Sequence, residues 1–202
     1  MPVRIELALP ASDFSSNQLH RFTVEEYRRM AAEGILSEAS RVELLLEGVI
    51  VKKMTRNPPH DFTLQRLNRW LSRVVPQGWD WCVQSAITLA DSEPEPDISL
   101  VRFQDDGYKR SHPTASDTAL AIEIAEASLR ENQTRKARIY AQAGIDTYWI
   151  VNLPARRVEA LSEPSFESRT YMRTAMLAEA DILSLVLDGV PVASFAVADL
   201  LP

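Results

Sequence analysis

The sequence has little of what several common site chemistries require, since it contains one cysteine, three histidines and six glycines among 202 residues. The cysteine, Cys82, has no partner for an internal disulfide, and its neighbours Trp81 and Val83 indicate a small core residue rather than a nucleophile. The histidines are not at the spacing of zinc ligands, and there is no glycine-rich phosphate loop. The three histidines are His20, His60 and His112. These absences argue against a disulfide scaffold, a histidine-based dimetal hydrolase and a P-loop enzyme.

Long apolar runs are also missing. The two longest, residues 119–125 and 148–153, are far shorter than the roughly 20 residues of a membrane-spanning helix. The N-terminus lacks the basic and then apolar pattern of a secretory signal. We therefore expect a cytoplasmic protein without a membrane segment. The length and the 46% hydrophobic content suit one domain over residues 1–202.

The chain has no excess of basic residues, because its formal net charge is -6. This charge argues against a protein that coats nucleic acid by bulk electrostatics. A nuclease remains compatible with it if a local basic strip meets the phosphates. The arginines of two predicted helices are candidates for that strip, although they also suit ordinary solvated helix faces. They are Arg66, Arg69 and Arg73 in the first, and Arg130, Arg135 and Arg138 in the second.

The first half of the chain predicts alternating helices and strands after an N-terminal arm at residues 1–20. Thr23 and Glu26 have the spacing of a capping box and begin a helix that Gly34 ends. Residues 41–54 suit a hairpin with a turn at Gly48. Asn57-Pro58-Pro59 breaks the chain before a helix that closes at Pro76-Gln77-Gly78. Strands at residues 79–90 and 98–103 precede a surface loop at 104–117.

The second half predicts a strand, helix and strand unit. Residues 119–124 have the pattern of a strand that is buried on both faces. A charged helix over residues 131–143 ends at Gly144, and another buried strand follows over 147–153. The C-terminal tail, residues 156–202, has uncertain structure, although residues 156–174 show the alternation that is typical of strands. The predicted class is α/β, with a mixed central sheet flanked by helices.

Two acidic residues stand at strands that are otherwise apolar. Asp97 opens one strand and Glu123 interrupts the next. A carboxylate in a buried strand costs several kcal/mol unless it is paired or bound to a metal. If the two strands are adjacent, both carboxylates and the backbone carbonyl of Ile124 would form a site for a hard cation such as Mg²⁺. The alternative is that Asp97 caps a turn and Glu123 pairs with a basic helix residue.

A lysine follows Glu123 by thirteen residues, on the next predicted helix. If the chain folds back, the ammonium of Lys136 would stabilise the negative charge that builds on a phosphate during attack by metal-activated water. The alternative is a solvated lysine on a charged helix.

These residues lie in a composite pattern that resembles the Uma-two family, bacterial proteins with the PD-(D/E)xK, or restriction-endonuclease-like, nuclease fold. The pattern comprises Pro96-Asp97, Glu123-Ile124, KARIYAQAGIDTYWIV at 136–151, VELLLEGVI at 42–50, and Pro59-His60. The resemblance covers roughly residues 20–155. One departure is Glu126-Ala127-Ser128, where the family usually has a Ser-Pro-Ser-like turn.

The resemblance implies a four-residue site of Glu43, Asp97, Glu123 and Lys136, in which the two middle residues bind the metal. His60, Gln84 and Glu126 are accessory candidates in the same cleft. His60 suits a structural role at a helix start equally well, and Glu126 is either an extra ligand or a sign that the loop has drifted.

The resemblance therefore implies a Mg²⁺-dependent endonuclease that hydrolyses DNA, with Mn²⁺ as a substitute metal and a homodimer for double-strand cleavage. The alternative is a non-catalytic nucleic-acid-binding or regulatory module that retains the nuclease fold. A phosphoesterase that acts on a small nucleotide is a third hypothesis, which an arginine strip would disfavour.

Overall fold

A computed structural model describes residues 19–45 and 48–202. Most of the predicted arm and two residues of the hairpin, Leu46 and Glu47, lie outside this range. The helices are α1 (Val24–Ala32), α2 (Pro58–Val74), α3 (Leu129–Glu131) and α4 (Ala137–Ala143), with a π-helical turn at Asn132–Lys136. The strands are β1 (Val42–Leu45), β2 (Val49–Lys52), β3 (Trp79–Val83), β4 (Ile98–Arg102), β5 (Thr118–Ala125), β6 (Thr147–Asn152), β7 (Arg157–Ser165), β8 (Thr170–Ala178), β9 (Ile182–Leu187) and β10 (Val190–Ala196).

Six strands form the central sheet in the order β3-β4-β5-β6-β7-β8. Neighbouring strands run antiparallel except for β5 and β6, which are parallel. A parallel pair needs a crossover connection, and the helical segment from Leu129 to Ala143 supplies it. The predicted α/β class with a mixed sheet is confirmed, and β1–β2 and β9–β10 form separate hairpins.

The two faces of the sheet carry separate hydrophobic cores, which explains why every residue of β5 is buried. On one face, Leu67 and Leu71 of α2 and Leu185 of β9 pack over Leu100 and Ile122. The opposite face packs against the crossover helix, with Ile139 and Tyr140 over the strands.

Two predicted boundaries were wrong and one predicted helix is irregular, each for a local reason. Pro58 begins α2 instead of standing before it, because Asn57 caps the helix through the His60 N–H and a proline at the first position needs no donor. The strand predicted over 79–90 ends at Val83, since Gln84 takes a left-handed conformation with φ of 50°. The helix predicted as one piece contains the π-helical turn, and it ends as expected at Gly144, whose φ is 77°.

The C-terminal segment, whose structure the sequence left open, adds two strands to the sheet and a hairpin to its core. Strands β7 and β8 extend the sheet, and β9 alternates between buried and exposed residues. Leu183, Leu185 and Leu187 point into the core that α2 also covers. None of the helices in the described part of the chain is long and apolar enough to cross a membrane.

That shared core gives a test of the prediction that the chain is one domain. We expect Leu185→Ala to lower the free energy of unfolding by about 2–5 kcal/mol, because it opens a cavity in a fully buried position. Val186→Ala, on the exposed side of the same strand, should change it by less than about 0.5 kcal/mol. Urea unfolding that is followed by tryptophan fluorescence and circular dichroism should remain a single transition in each variant. A separate early transition in Leu185→Ala would contradict the one-domain prediction.

Candidate active site

A cleft of about 830 Å³ opens where β4 begins and β5 ends. Residues of α1, of the β1–β2 hairpin and of the following link form one side, and the ends of β4 and β5 with the π-helical turn form the other. All four principal residues implied by the sequence line this cleft: Glu43, Asp97, Glu123 and Lys136. The three accessory candidates and Ile124 line it as well: His60, Gln84 and Glu126. The structure therefore brings together every residue that was assigned to the site, and their chemical roles stay predictions.

Asp97 lies opposite Glu123 because β4 and β5 pair antiparallel with Ile98 facing Ile122. The Oδ2 atom of Asp97 accepts a hydrogen bond from the Ile124 N–H at 2.8 Å and contacts Nε2 of His60 at 3.1 Å. Burial by itself would raise the pKa of Asp97, but the His60 contact, the Ile124 N–H and the Lys136 charge outweigh it and lower the pKa. Asp97 is therefore held as a carboxylate.

His60 occupies the first turn of α2, where Asn57 fixes its backbone. Burial opposes protonation of the ring, but its hydrogen bond with Asp97 and the charge of Asp97 outweigh that effect, so the pKa of His60 is raised. The ring is 11% exposed, and it holds one face of Asp97 in place. This contact gives the helix-start histidine a definite structural partner in the site.

Glu123 is buried inside the sheet and is 5% exposed. Its Oε1 atom accepts hydrogen bonds from Nζ of Lys136 at 2.7 Å and from the hydroxyl of Tyr140 at 3.1 Å. Burial raises the pKa of Glu123 to about 7, although the Lys136 charge opposes the shift and the charges of Asp97 and Glu43 add to it. Three carboxylates near one buried lysine therefore leave the site with excess negative charge.

Lys136 lies between two carboxylates, because its Nζ is also 3.2 Å from Oε2 of Glu43. Glu43 is oriented in turn by the N–H of Glu95, which donates to the same Oε2 at 3.0 Å. Burial would lower the pKa of Lys136, but the charges of Glu123 and Glu43 outweigh it and raise the pKa above its ordinary value. A lysine that keeps its proton is suited to stabilise negative charge and is unsuited to act as a general base.

The π-helical turn explains how Lys136 reaches both acids, since such a turn widens a helix by one residue and is common at functional sites. The hydroxyl of Tyr148 donates to the Asn132 carbonyl at 3.2 Å. Gln133 donates from Nε2 to both oxygens of Glu159, at 3.0 and 2.8 Å. The first and second residues of the turn are therefore tied to β6 and β7, which fixes the direction of its last residue.

Gln84 and Glu126 make contacts that the sequence did not indicate. The Gln84 amide donates to Oδ1 of Asp97 at 3.4 Å and accepts a hydrogen bond from Arg56. Glu126 accepts a hydrogen bond from the Asn57 side chain. Glu126 thus joins the β5 end of the cleft to the start of α2.

The arginines that were candidates for a basic strip do not line the cleft. Helix α2 turns Thr63, Leu67 and Leu71 toward the core, so that Arg66, Arg69 and Arg73 are exposed away from it. None of these three, and none of Arg130, Arg135 and Arg138, lines the cleft. Its basic residues besides Lys136 come from the hairpin and the link after it: Arg41, Lys53 and Arg56. The clue available in the sequence was the basic character of residues 52–56, beside the segment that carries Glu43.

Oxygen donors dominate the cleft floor, which suits a hard divalent cation. Asp97 and Glu123 each have a carboxylate there, and Ile124 lines the same surface. Across residues 19–45 and 48–202, no group of three or more His, Cys, Asp or Glu side chains is arranged to bind a metal ion. A metal on this floor therefore needs main-chain oxygen or water in addition to the two carboxylates, and the Ile124 carbonyl is the nearest candidate in sequence.

Comparisons with known proteins agree with this architecture. The model of the Uma2 family, described as "Putative restriction endonuclease", matches residues 24–197, which extends the resemblance through most of the C-terminal segment. A crystal structure of "a putative nuclease belonging to DUF820" from Anabaena variabilis ATCC 29413 has a TM-score of 0.66 with this chain. The two chains are 18% identical, and the similarity covers 89% of this chain and 97% of the other, which shows a common fold. No curated protein matches the sequence significantly.

Glu159 provides a test of how the π-helical turn is held. Burial would raise its pKa, but hydrogen bonds from Asn152, Gln133 and Arg157 outweigh it and lower the pKa below 4.5. Its contribution to stability is therefore present above pH 4.5 and is lost as the pH falls through the lowered value. We expect Glu159→Gln to reduce the free energy of unfolding by about 1–3 kcal/mol near neutral pH, and by progressively less as the pH falls below 4.5. Urea unfolding as a function of pH measures this difference.

Glu163→Gln is the matched control, because Glu163 lies on the same strand and its side chain is 64% exposed. It should change stability by less than about 0.5 kcal/mol at every pH. A loss in Glu159→Gln that does not shrink in acid would contradict the account of the lowered pKa.

Lys136 provides a test of the charge balance in the site. Lys136→Met leaves Glu123 and Glu43 buried without their common partner, so we expect a loss of about 3–5 kcal/mol in the free energy of unfolding near pH 8. The loss should shrink toward about pH 5, because the raised pKa of Glu123 allows this residue to become neutral there. Adding Glu123→Gln to Lys136→Met should recover part of the loss at the higher pH.

Arg135→Met is the control for the same turn, since Arg135 is 53% exposed and forms only a loose pair with Glu131 at 3.6 Å. Its effect should stay below about 1 kcal/mol. If the two methionine variants lose the same free energy of unfolding, the buried ion pairs of Lys136 do not contribute more to stability than the exposed pair of Arg135.

Proposed function

Because the chain belongs to the Uma2 family of putative restriction endonucleases, we propose that it is a metal-dependent endonuclease that hydrolyses phosphodiester bonds of DNA. The observation that carries this proposal is the pairing of Asp97 and Glu123 on adjacent strands beside a buried, protonated Lys136. Two carboxylates and a lysine in one cleft suit the charge changes of phosphodiester hydrolysis. A cytoplasmic location and a homodimer for double-strand cleavage belong to the same proposal.

The residues on the cleft floor fit the metal that this chemistry requires. Asp97, Glu123 and the Ile124 carbonyl would hold Mg²⁺, with Mn²⁺ as a substitute, since all three are oxygen donors. When bound, such an ion supplies Lewis acidity and lowers the pKa of a water molecule. Burial and the charges of Asp97 and Glu43 raise the pKa of Glu123, and a cation held by these oxygens would favour its carboxylate form.

The remaining residues of the site act on charge and position. The Lys136 ammonium faces the carboxylates and donates to a phosphate oxygen on which negative charge develops. Glu43 and Tyr140 hold Lys136 and Glu123 in their positions. His60 holds Asp97 ionised and fixes the orientation of its carboxylate through Oδ2. Each of these contacts is made inside the protein, so the site is prearranged for its substrate.

A non-catalytic nucleic-acid-binding or regulatory module is the second candidate, and one observation favours it. Lys136 already forms ion pairs with Glu123 and Glu43, at 2.7 and 3.2 Å. A buried pair of this kind is stable without a metal ion when its hydrogen bonds are satisfied. Metal binding and cleavage therefore have to be measured together to separate the two functions.

Asp97→Asn distinguishes the two candidates. The change removes a negative charge from the cleft floor while keeping the shape of the side chain, so we expect Mg²⁺ and Mn²⁺ binding to fall at least tenfold and plasmid nicking to disappear. Isothermal titration calorimetry and a nicking assay in the same buffers measure both effects.

Asp105→Asn is the control, because Asp105 is exposed in the loop between β4 and β5 and does not line the cleft. It should bind metal and nick DNA like the wild type. If the wild type takes up neither ion, the proposed enzyme is wrong and the non-catalytic module replaces it.

A further inference from the structure

Two guanidinium groups on the wall of the cleft have only neutral hydrogen-bond partners among residues 19–45 and 48–202. Arg41 donates from Nη2 to the carbonyl of Met54 at 3.3 Å. Arg56 donates from Nη1 to the side-chain oxygen of Gln84. Lys53, which lies between them in sequence, instead pairs with Glu95 at 2.6 Å. The two arginines therefore bring positive charge to the cleft that no described carboxylate neutralises by an ion pair.

Two residues that position these arginines have a backbone conformation that few non-glycine residues adopt. Arg41 has a φ of 45° and receives the N–H of Lys53 on its carbonyl at 2.8 Å, which closes the base of the β1–β2 hairpin. Gln84 has a φ of 50°, and its N–H donates to the Asp97 carbonyl at 3.0 Å. A left-handed conformation is unfavourable for a non-glycine residue and persists only where its surroundings hold it. Arg41 is thus held by its own backbone at the base of the hairpin, and Arg56 is held by its hydrogen bond to Gln84.

Gln84 also connects Arg56 to the centre of the site. The Gln84 amide contacts Arg56 through its oxygen and Oδ1 of Asp97 through its nitrogen. Arg56 therefore lies one side chain away from a carboxylate that we assign to the metal. A phosphate group held at that carboxylate would be close to the Arg56 guanidinium.

The charge of the whole cleft shows why the location of these arginines matters. Six acidic and four basic side chains line it, so that the cleft as a whole repels phosphate. Lys136 and Lys53 are already paired with carboxylates. Among the described arginines and lysines of the cleft lining, those without a carboxylate partner are then confined to the wall that carries Arg41 and Arg56.

We propose that Arg41 and Arg56 bind phosphate groups of the DNA backbone and that Arg56 takes the phosphate nearer to Asp97. This proposal rests on the proposed function and adds the surface that holds the substrate. A guanidinium suits the task because it presents a planar pair of donors to two phosphate oxygens, and it stays charged at any working pH. The surface that carries Arg41 and Arg56, here called the phosphate wall, then guides one strand of the substrate into the cleft.

The salt dependence of DNA binding tests the proposal directly. The logarithm of the DNA-binding constant falls linearly with the logarithm of the salt concentration, and each phosphate contact to duplex DNA makes this slope steeper by about 0.9. We expect Arg41→Gln and Arg56→Gln each to reduce the slope by about 0.9, and the double variant to reduce it by about twice that amount. Fluorescence anisotropy of a short labelled duplex in Ca²⁺ buffer, over about 50–200 mM NaCl, measures the slope. A gel of the same samples shows whether the duplex remains intact.

Two further variants separate a lost contact from a general effect. Arg69→Gln removes the same charge from an exposed position of α2 that does not line the cleft, so the slope should not change. Arg56→Lys keeps the charge but loses the paired donors, so binding should weaken while the slope is preserved. Thermal unfolding of each variant confirms that it is folded before its slope is compared.

The outcomes distinguish this proposal from the proposed function. If the wild type nicks DNA but the slopes of Arg41→Gln and Arg56→Gln equal that of the wild type, the phosphate wall is wrong and the nuclease stands. If both slopes fall while the wild type neither binds Mg²⁺ nor nicks DNA, the phosphate wall stands on a non-catalytic protein. A fall of the same size in Arg69→Gln, or no DNA binding by the wild type, overturns the phosphate wall.

Discussion

The site depends on one buried interaction, in which the ammonium of Lys136 lies between the carboxylates of Glu123 and Glu43. Taking three charges out of water costs several kcal/mol each, and only their mutual attraction and satisfied hydrogen bonds repay that cost. Tyr140 and the N–H of Glu95 supply two of those hydrogen bonds. Since the three charged residues come from β1, β5 and the π-helical turn, the same interaction joins the hairpin and the crossover helix to the sheet.

Residues outside the cleft lining set much of the geometry around this interaction. The parallel pair β5–β6 requires a crossover, and the crossover helix carries Lys136 back over the strand that holds Glu123. The π-helical turn redirects that helix by one residue, and Glu159 and Tyr148 fix the turn from β7 and β6. The hydrogen bonds of Tyr148 and Glu159 thus determine the direction in which Lys136 points.

The acidity of the chain and its membership in a nuclease family are compatible once the charges are located. Most of the cleft charge is negative or internally paired, and the exposed arginines of α2 lie elsewhere on the surface. Unpaired positive charge remains on the wall formed by the hairpin and the link that follows it. This arrangement keeps the floor that we propose for a cation separate from the surface that we propose for phosphate groups.

Several features were determined by the sequence alone. The capping box at Thr23, the mostly apolar run of β5 and the glycine after α4 specify local structure through short-range interactions, and all three predictions were confirmed. The mixed α/β fold and the family followed from the order of these elements and from the residues at the strand ends, which the fold comparison and the family match bear out.

Only the tertiary structure decided which charges meet. The contact of His60 with Asp97 and the contacts of Lys136 with Glu123 and Glu43 join residues that are 13 to 93 positions apart. The fold also places Arg41 and Arg56 in the cleft lining and leaves the helix arginines outside it. Local spacing carries no information on such contacts, because they depend on strand order, on the π-helical turn and on which face of α2 is buried.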